Sequence, residues 1–502
     1  MDWIYSGLFF FALFIVILIA EGLRKLLKWS SNTTRKIVHI TTGVFVASTP
    51  LLLNSKIPII IISAIFTIIN FFAIRLGFFP GMHATSRRSY GTVFYPLALV
   101  ILLIFFWGEN QLILVISMLV LAFADPLAAL TGEKLTHLKQ YQLARDKKTL
   151  AGSVVMFLTT VIIVFWGLKF GIYYFAGNWE ITTLQVVWMA LVVGIIATVC
   201  EALSAYGSDN LSIPLGTAFI LHFMLTRLNT PAASENIQLT LGLVLAALVA
   251  ATTYYFRFLN SSGAVGTFLL GTVVFGIGGW KFSLPILAFF ILSSLLSKVG
   301  KTRKKKLAQT FQKSSQRDIG QVLANGGLAG VLVLIWNYYP RDLLFYLYLG
   351  ALSAVTADTW ATEIGFFAKK LPRLILNWKP VPQGTSGGIT FLGTSAAVLG
   401  SSTIAYAGWV SNSNYLMTLN IGISIISAGL LACMFDSLLG ATIQAQYQCP
   451  HCQKITEKKS HCNNIQTRQI SGLSWIDNDL VNFLASVFGA LVVWFEIMLF
   501  SL

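Results

Sequence analysis

Asp125 is the residue in this chain whose type and setting say most about chemistry. It lies inside an apolar run that begins near Gln111, and Pro126 follows it directly. A carboxylate within a membrane-length segment is costly, so it faces a polar cavity or a partner. Pro126 has no backbone N–H and frees the carbonyl it would have bonded, which predicts a broken helix at that point. Gly132, Glu133 and Lys134 come next, then a basic loop ending in Lys147, Lys148 and Ala151-Gly152. An acid able to hold a divalent cation, with lysines nearby for an anion, is the equipment of phosphate chemistry at a membrane face. The plainer reading is a kinked helix whose acid caps the next turn and whose lysines rest on lipid headgroups. Asp125 alone does not separate the two.

The elements that must position such a site are helices in a bilayer. The chain has 502 residues, 56% of them hydrophobic and 11% charged, with a mean hydropathy of +0.74. This predicts an all-α, polytopic integral membrane protein, because apolar runs of about 20 residues fill nearly the whole sequence. About 16 spans are expected, near residues 4–23, 38–53, 57–76, 93–107, 111–131, 150–168, 185–203, 213–227, 237–255, 263–279, 281–298, 319–338, 343–360, 389–410, 417–440 and 479–499. The first run has Asp2 before it and Arg24, Lys25 and Lys28 after it, the reverse of a signal peptide's charge order. It reads as a retained helix with its N-terminus outside.

The net charge of +16 does not point to nucleic acid, because its placement is topological. Of the 35 lysines and arginines, 30 fall in loops on one side. Only Lys56, Lys169, Arg227, Lys281 and Arg341 fall on the other. By the positive-inside rule the basic side is cytoplasmic, and the membrane is expected to be a bacterial inner membrane or a chloroplast-type one. Arg87-Arg88-Ser89, Asp125, Lys147-Lys148, Glu201 and Asp209-Asn210 all sit at or near cytoplasmic ends. In the second half Arg317-Asp318, Asn325, Asp358, Glu363, Asp436 and Asp477-Asn478-Asp479 do the same. Acids and bases converging on one face suit a site open to cytosolic ligands. A transporter or flippase would carry some of them towards the midplane.

The halves echo each other. Asp125-Pro-Leu-Ala with Gly132-Glu133 parallels Asp358-Thr-Trp-Ala with Glu363 and Gly365. Lys148-Thr-Leu-Ala-Gly-Ser153 parallels Gly384-Thr-Ser-Gly-Gly388. Glu201 with Asp209-Asn210 parallels Asp436 with Asp477-Asn478-Asp479. Two related modules are expected, 1–232 and 233–502, the second carrying a cytosolic Cys/His loop over 445–470.

Arg35-Lys-Ile-Val-His39, Arg87-Arg-Ser-Tyr-Gly-Thr92, Asp125-Pro-Leu-Ala-Ala-Leu-Thr-Gly132, Lys147-Lys-Thr-Leu-Ala-Gly-Ser153 and Glu201…Asp209-Asn-Leu-Ser-Ile-Pro214 form an ordered set. Over residues 30–215 that set resembles the phytol kinase and dolichol (polyprenol) kinase family. The resemblance implies phosphorylation of an isoprenoid alcohol, with CTP as donor and Mg2+ as the ion. The loop after Gly132 lacks a second glycine often found there in the family. On physical grounds, Asp125 and Asp209 suit Mg2+ ligation or base chemistry, and Arg87, Arg88, Lys147 and Lys148 suit phosphate contacts. Gly91, Gly132 and Gly152 let backbone approach a triphosphate. Glu201 would position Asn210 or a lysine, or take the alcohol proton. His39 is a further base candidate, with a hydrogen-bonded structural role the preferred reading.

The second half resembles a membrane family that includes the plant phytyl-phosphate kinase. The matching residues are Ser261-Ser-Gly263, Arg317-Asp-Ile-Gly-Gln-Val-Leu-Ala-Asn-Gly326, Ala357-Asp-Thr-Trp-Ala-Thr-Glu-Ile-Gly365, Val381-Pro-Gln-Gly-Thr-Ser-Gly-Gly388, Asp436-Ser-Leu-Leu-Gly-Ala441 and Asp477-Asn-Asp-Leu-Val-Asn482. This resemblance implies conversion of an isoprenyl monophosphate to the diphosphate. Gly384, Thr385, Gly387 and Gly388 suit a phosphate cradle, with Arg317 and Asn325 as further phosphate contacts. Asp358, Glu363, Asp436 and Asp477 suit metal binding or catalysis. The plainer reading of the glycine run is a flexible linker.

Cys449-Pro-His-Cys452 followed by His461-Cys462 offers four ligands for tetrahedral zinc. Cys449, Cys452, His461 and Cys462 are the chosen set, with His451 a possible substitute and reduced, metal-free cysteines the plainer reading. The sequence therefore reads as a bifunctional isoprenoid kinase, taking an alcohol to its monophosphate and then its diphosphate. Its partners are the prenol, its monophosphate, a nucleoside triphosphate and the bilayer. Phytol, geranylgeraniol, farnesol and longer polyprenols, and CTP or ATP, remain open. A cytidylyltransferase making a CDP-lipid is the alternative within enzymes, and a transporter or flippase the alternative outside them.

Overall fold

The computed structural model describes residues 2–76, 89–108, 110–135, 139–174, 181–227, 233–298, 316–412, 418–453, 455–457, 459–462 and 465–500. Arg87 and Arg88 lie outside them. Of the described residues 76% are helical, and the chain divides into two compact units, Met1–Asn236 and Ile237–Leu502.

The first unit contains α1 (Asp2–Leu27), α2 (Ser31–Ala47), α3 (Thr49–Leu52), α4 (Ile57–Leu76), α5 (Gly91–Phe106), α6 (Gln111–Lys134), α7 (Leu150–Tyr174), α8 (Thr183–Leu203) and α9 (Asp209–Thr226). Two short strands, β1 (Gln140–Tyr141) and β2 (Lys148–Thr149), pair antiparallel between α6 and α7. α6 is the helix the unit encloses, with α2, α5, α7 and α9 packed around it. Its composition explains why: Leu112, Ile113, Ile116, Met118, Val120 and Leu121 are buried without regard to face, as a helix surrounded by others requires. Small residues allow close approach. An atom added at Gly43 of α2 would lie 2.3 Å from the Ala122 Cβ of α6.

The expected break at Pro126 is not present. α6 continues as α-helix from Gln111 through Pro126 to Lys134. Enclosure by neighbouring helices holds the helical path there, and Pro96 in α5 and Pro214 in α9 are likewise accommodated inside helices.

The second unit is built from α10 (Ala233–Tyr255), α11 (Ser261–Gly271), a π-helical turn (Thr272–Ile277), α12 (Gly279–Lys298), α13 (Ile319–Tyr338), α14 (Asp342–Gly365), α15 (Phe391–Ser411), α16 (Leu419–Thr442) and α17 (Asn478–Phe500). α14 is its enclosed helix, contacted by α12, α13, α15, α16 and α17. Gly350 of α14 and Gly489 of α17 face each other so closely that a side-chain atom on either would lie within 2.8 Å of the other's carbonyl oxygen. Between α14 and α15, β3 (Arg373–Leu374) pairs with β4 (Gly388–Ile389). Between α16 and α17 lie β5 (Gln446–Gln448), β6 (Ile455–Thr456), β7 (Ser460–His461), β8 (Ile465–Gln466) and β9 (Arg468–Ser471). They form a three-stranded sheet in the order β6-β5-β9 and a β7-β8 hairpin.

Among the described residues ten helices are long and apolar enough to cross a membrane. All of the other six expected runs are helical; the one at 4–23 lies in α1, a 26-residue apolar helix, and five are shorter, divided or more polar. Gly91–Phe106 and Ser261–Ile277 are apolar but short. The run at 38–53 is divided at Ser48 between α2 and α3. α9 opens on the polar Asp209-Asn210, and α15 is diluted by Gly, Ser and Thr.

Candidate functional site

In the first unit the polar ends of five helices meet. α6 brings Asp125 to within electrostatic reach of Asp209, Lys148, Glu201 and Arg35, from four other segments. Lys148 is fixed in β2, and its Nζ donates to Glu201 Oε1 at 2.5 Å and to Ser204 Oγ at 3.2 Å. The Lys148 and Glu201 side chains are only 17% and 8% exposed. Burial alone would pull the Lys148 ammonium down, but attraction to Glu201 and Asp209, with the hydrogen bond to Glu201, outweighs it. Its pKa stands above that of a free lysine. The second oxygen of Glu201, Oε2, is buried and has no hydrogen-bond partner among the described residues. An orphaned carboxylate oxygen beside two further acids marks a place for a cation or a donor from a ligand.

The α8–α9 connection sets the remaining groups. Ser204 Oγ reaches Asp209 Oδ2 at 3.4 Å, and Asp209 Oδ1 accepts from the Asn210 backbone N–H at 3.0 Å. Asn210 Nδ2 donates to Gly207 O at 3.2 Å and to Asp209 Oδ1 at 3.2 Å. Asp209 thus sits at the start of α9, where the helix dipole favours negative charge. Across from it, Tyr90 N donates to Tyr206 O at 2.7 Å, seating the start of α5 on this loop. Gly91 is needed there, because an added atom would lie 2.7 Å from Asn210 Nδ2. Gly132 and Gly152 both enclose Thr149, whose hydroxyl would stand 2.9 and 3.1 Å from their added atoms. His39 Nε2 pairs with Leu121 O at 3.1 Å, the hydrogen-bonded structural role. Lys36 pairs with Glu133 at 2.6 Å.

The structure therefore gathers Asp125, Lys148, Glu201, Asp209, Asn210, Gly91, Gly132 and Gly152 at one end of the unit. Lys147, next to Lys148, is exposed. Sequence reasoning gave no role to Arg35, Lys36, Ser204, Tyr206 or Gly207. The signal for Gly207 was the Tyr-Gly-Ser-Asp string ahead of α9, a turn before a helix start. Gly207 has φ +85, and an added Cβ would lie 2.5 Å from Gly91 N. Gly207→Ala is expected to cost about 1–3 kcal/mol or more, seen as a lowered Tm in detergent. Gly22→Ala on α1, where the added atom meets nothing within 4 Å, is expected to leave Tm unchanged or raised.

In the second unit, the Asn260 backbone N–H and the Ser262 hydroxyl clasp the start of α13. Asn260 N donates to Arg317 O at 3.0 Å, and Ile319 N donates to Ser262 Oγ at 3.3 Å. Asp318 caps α13 through Gln321 N at 3.1 Å. Burial lowers the pKa of the Arg317 guanidinium, against the opposing pull of Glu363. Arg317, Gln321 and Asn325 are spaced four residues apart and form one polar stripe in an otherwise apolar pocket, walled by Leu270, Phe275 and Phe289. Asp358 of α14 and Asp436 of α16 both lie within electrostatic reach of Cys433. An atom added at Gly387 (φ +79) would lie 2.7 Å from Ser437 O, so the glycine loop seats on the turn after Asp436. Thr385 Oγ1 donates to Pro382 O at 2.8 Å, closing that loop on itself. Asp477 is exposed and caps α17 by accepting from Leu480 N at 3.0 Å. Asp479 of the same turn approaches the start of α13, with its Oδ2 2.8 Å from an atom added at Gly320. Asp477 was the acid singled out from sequence, and Asp479 is the one that reaches a neighbouring helix.

Between α16 and α17, one ligand atom from each of Cys449, Cys452, His461 and Cys462 lies within 4.8 Å of all the others.

Fold and sites define an all-helical polytopic membrane protein with ionisable groups gathered at the ends of helices in each unit. Residues 244–490 match the family model described as Integral membrane protein DUF92. The chain is 32% identical over 275 residues to Protein PGR of Arabidopsis thaliana, covering 50% of this chain and 93% of that protein. It is 34% identical over 224 residues to the Phytol kinase of Synechocystis sp., covering 43% of this chain and 90% of that one. It is 25% identical over 239 residues to Protein VTE6, chloroplastic, of Arabidopsis thaliana, covering 47% and 64%. No solved structure matches the chain. Residues 244–490 of the chain belong to the DUF92 integral membrane family.

Proposed function

We propose that the protein is a membrane phosphotransferase that phosphorylates an isoprenoid alcohol, and then its monophosphate, from a nucleoside triphosphate of which CTP is the favoured candidate. The observation that carries this reading is the first unit's cluster. Three acids, Asp125, Glu201 and Asp209, meet one buried ammonium, and one carboxylate oxygen is left without a partner. Similarity to a protein named Phytol kinase supports the substrate class.

In the first step the alcohol oxygen attacks the terminal phosphorus and the bond to the nucleoside diphosphate breaks. The hydroxyl proton passes to a carboxylate, for which Glu201 and Asp209 are the candidates. Asp125 and Asp209 fit Mg2+, which supplies charge neutralisation to the transferring phosphoryl group when bound. Lys148 holds a fixed positive charge beside them, and Asn210 orients Asp209 through two hydrogen bonds. The second step is assigned to the second unit, where a phosphate oxygen of the monophosphate is the attacking atom. Asp358 and Asp436 would hold the ion, and Gly384, Thr385, Gly387 and Gly388 would present backbone N–H groups to phosphate. The positive-inside bias of the basic loops supports a cytoplasmic orientation for each site.

The test uses full-length protein in detergent with Mg2+, γ-labelled CTP or ATP, and a panel of prenols and prenyl monophosphates. Label in prenyl mono- and diphosphate is the expected result. A CDP-lipid with released pyrophosphate would establish the cytidylyltransferase reading in its place, and no labelled lipid from any pair would overturn both.

A further inference from the structure

We propose that Cys449, Cys452, His461 and Cys462 bind one zinc ion, and that this ion fixes the segment carrying Glu457 against the glycine loop of the second unit. The cysteines are free thiols. Cys449 follows β5 and is fully buried. Its carbonyl accepts from Gln453 N at 2.9 Å, closing a tight Cys-Pro-His-Cys turn in which Gln453 has φ +57. The second pair ends β7, where Cys462 has φ +44. Two sharp turns thus point sulfur and imidazole inward from two hairpins.

The spacing matches the metal. His461 Nδ1 lies 3.3 Å from Cys452 Sγ and 3.1 Å from Cys462 Sγ. Tetrahedral zinc, with bonds of about 2.3 Å to sulfur and 2.0 Å to nitrogen, needs sulfur–nitrogen separations of roughly 3.5 Å. The fold of this segment also calls for a staple. Its strands run two to four residues, and Ile455, Ile465 and Ile470 are exposed. So small a sheet with its isoleucines outside has little apolar core to hold it, and small domains of this kind rely on a metal.

A side-chain hydrogen bond ties the hairpin to the candidate site. Ser386 Oγ, in the glycine loop, donates to Glu457 Oε1 at 2.8 Å. Glu457 sits one residue past β6, which pairs with β5 directly ahead of Cys449. Ordering the hairpin therefore orders Glu457, and Glu457 restrains the loop between Gly384 and Gly388. The metal claim is independent of the phosphotransfer reading, since metal content needs no substrate. The consequence for the loop's role rests on that reading.

The experiment measures metals in full-length protein purified in detergent without chelator. About one zinc per chain is expected, falling at least tenfold in the Cys452→Ser/Cys462→Ser double variant and unchanged in Cys200→Ser. Cobalt-substituted protein should show thiolate-to-cobalt charge-transfer absorption, which needs no activity. Iron in place of zinc, zinc below a tenth of an ion per chain, or a disulfide among the three cysteines would overturn the site. Hydrogen exchange at residues 384–388 then reads the coupling. It should rise on zinc removal, and also in Glu457→Ala with zinc retained. Exchange that is unchanged in both would leave a zinc ion with no hold on the loop and overturn that half of the proposal.

Discussion

Asp125→Asn is expected to lower the kcat for phosphorylating a prenyl alcohol by about 10³-fold or more while leaving the protein folded. Asparagine has nearly the shape of aspartate, so the packing of α6 against α2, α7 and α9 is preserved. What it loses is the carboxylate that would bind a cation beside Asp209 and Glu201. Removing one preorganised electrostatic contact in a dry site costs about 10²–10³ in kcat. Loss of a metal-holding carboxylate belongs at or beyond the upper end of that range. The check is kcat at saturating alcohol and nucleotide, beside Tm and gel-filtration profile in the same detergent. A variant within tenfold of wild type would make Asp125 a structural acid of the helix.

The second large effect is expected at Lys148, and it falls on stability as well as rate. Replacing Lys148 with Met leaves Glu201 buried without its partner, and breaking a buried pair from one side costs about 3–5 kcal/mol. Much of the loss is the stranded carboxylate, so Lys148→Met/Glu201→Leu should recover most of the folding and none of the phosphotransfer. A double-mutant cycle in detergent unfolding measures this, and additive single effects would show that the pair is uncoupled. The pH dependence has a defined sign. Lys148 has its pKa raised in the folded protein. Its contribution is therefore fully present below the free-lysine value of about 10.4 and is lost only as pH rises past the higher folded value. Stability and kcat should accordingly show no loss due to Lys148 between pH 7 and 10.

The helical membrane architecture was legible because long apolar runs have one solution in a bilayer, where every backbone polar group must be satisfied within the segment. The fate of Pro126 was not legible. Whether a proline breaks a helix depends on what surrounds it, and α6 is enclosed on several sides. The first unit's cluster could be read from residue types, since acids and lysines in apolar sequence are costly enough to mark themselves. Its architecture could not. Gly207 matters because of a positive φ and a contact with Gly91 more than a hundred residues earlier, and no local signal reports such a contact. Likewise Asp477 and Asp479 are equivalent as letters. Only the position of α17 makes one a helix cap and brings the other towards α13.

The most direct test of two phosphotransfer sites in series is a crossed assay. Wild type, Asp125→Asn and Asp358→Asn would each be given labelled nucleotide with either a prenol or its monophosphate. The account predicts that Asp125→Asn loses only the alcohol step and still makes diphosphate from supplied monophosphate. Asp358→Asn should accumulate labelled monophosphate and make no diphosphate. If either variant loses both steps while remaining folded, or if neither loses any, the assignment of one reaction to each unit is contradicted.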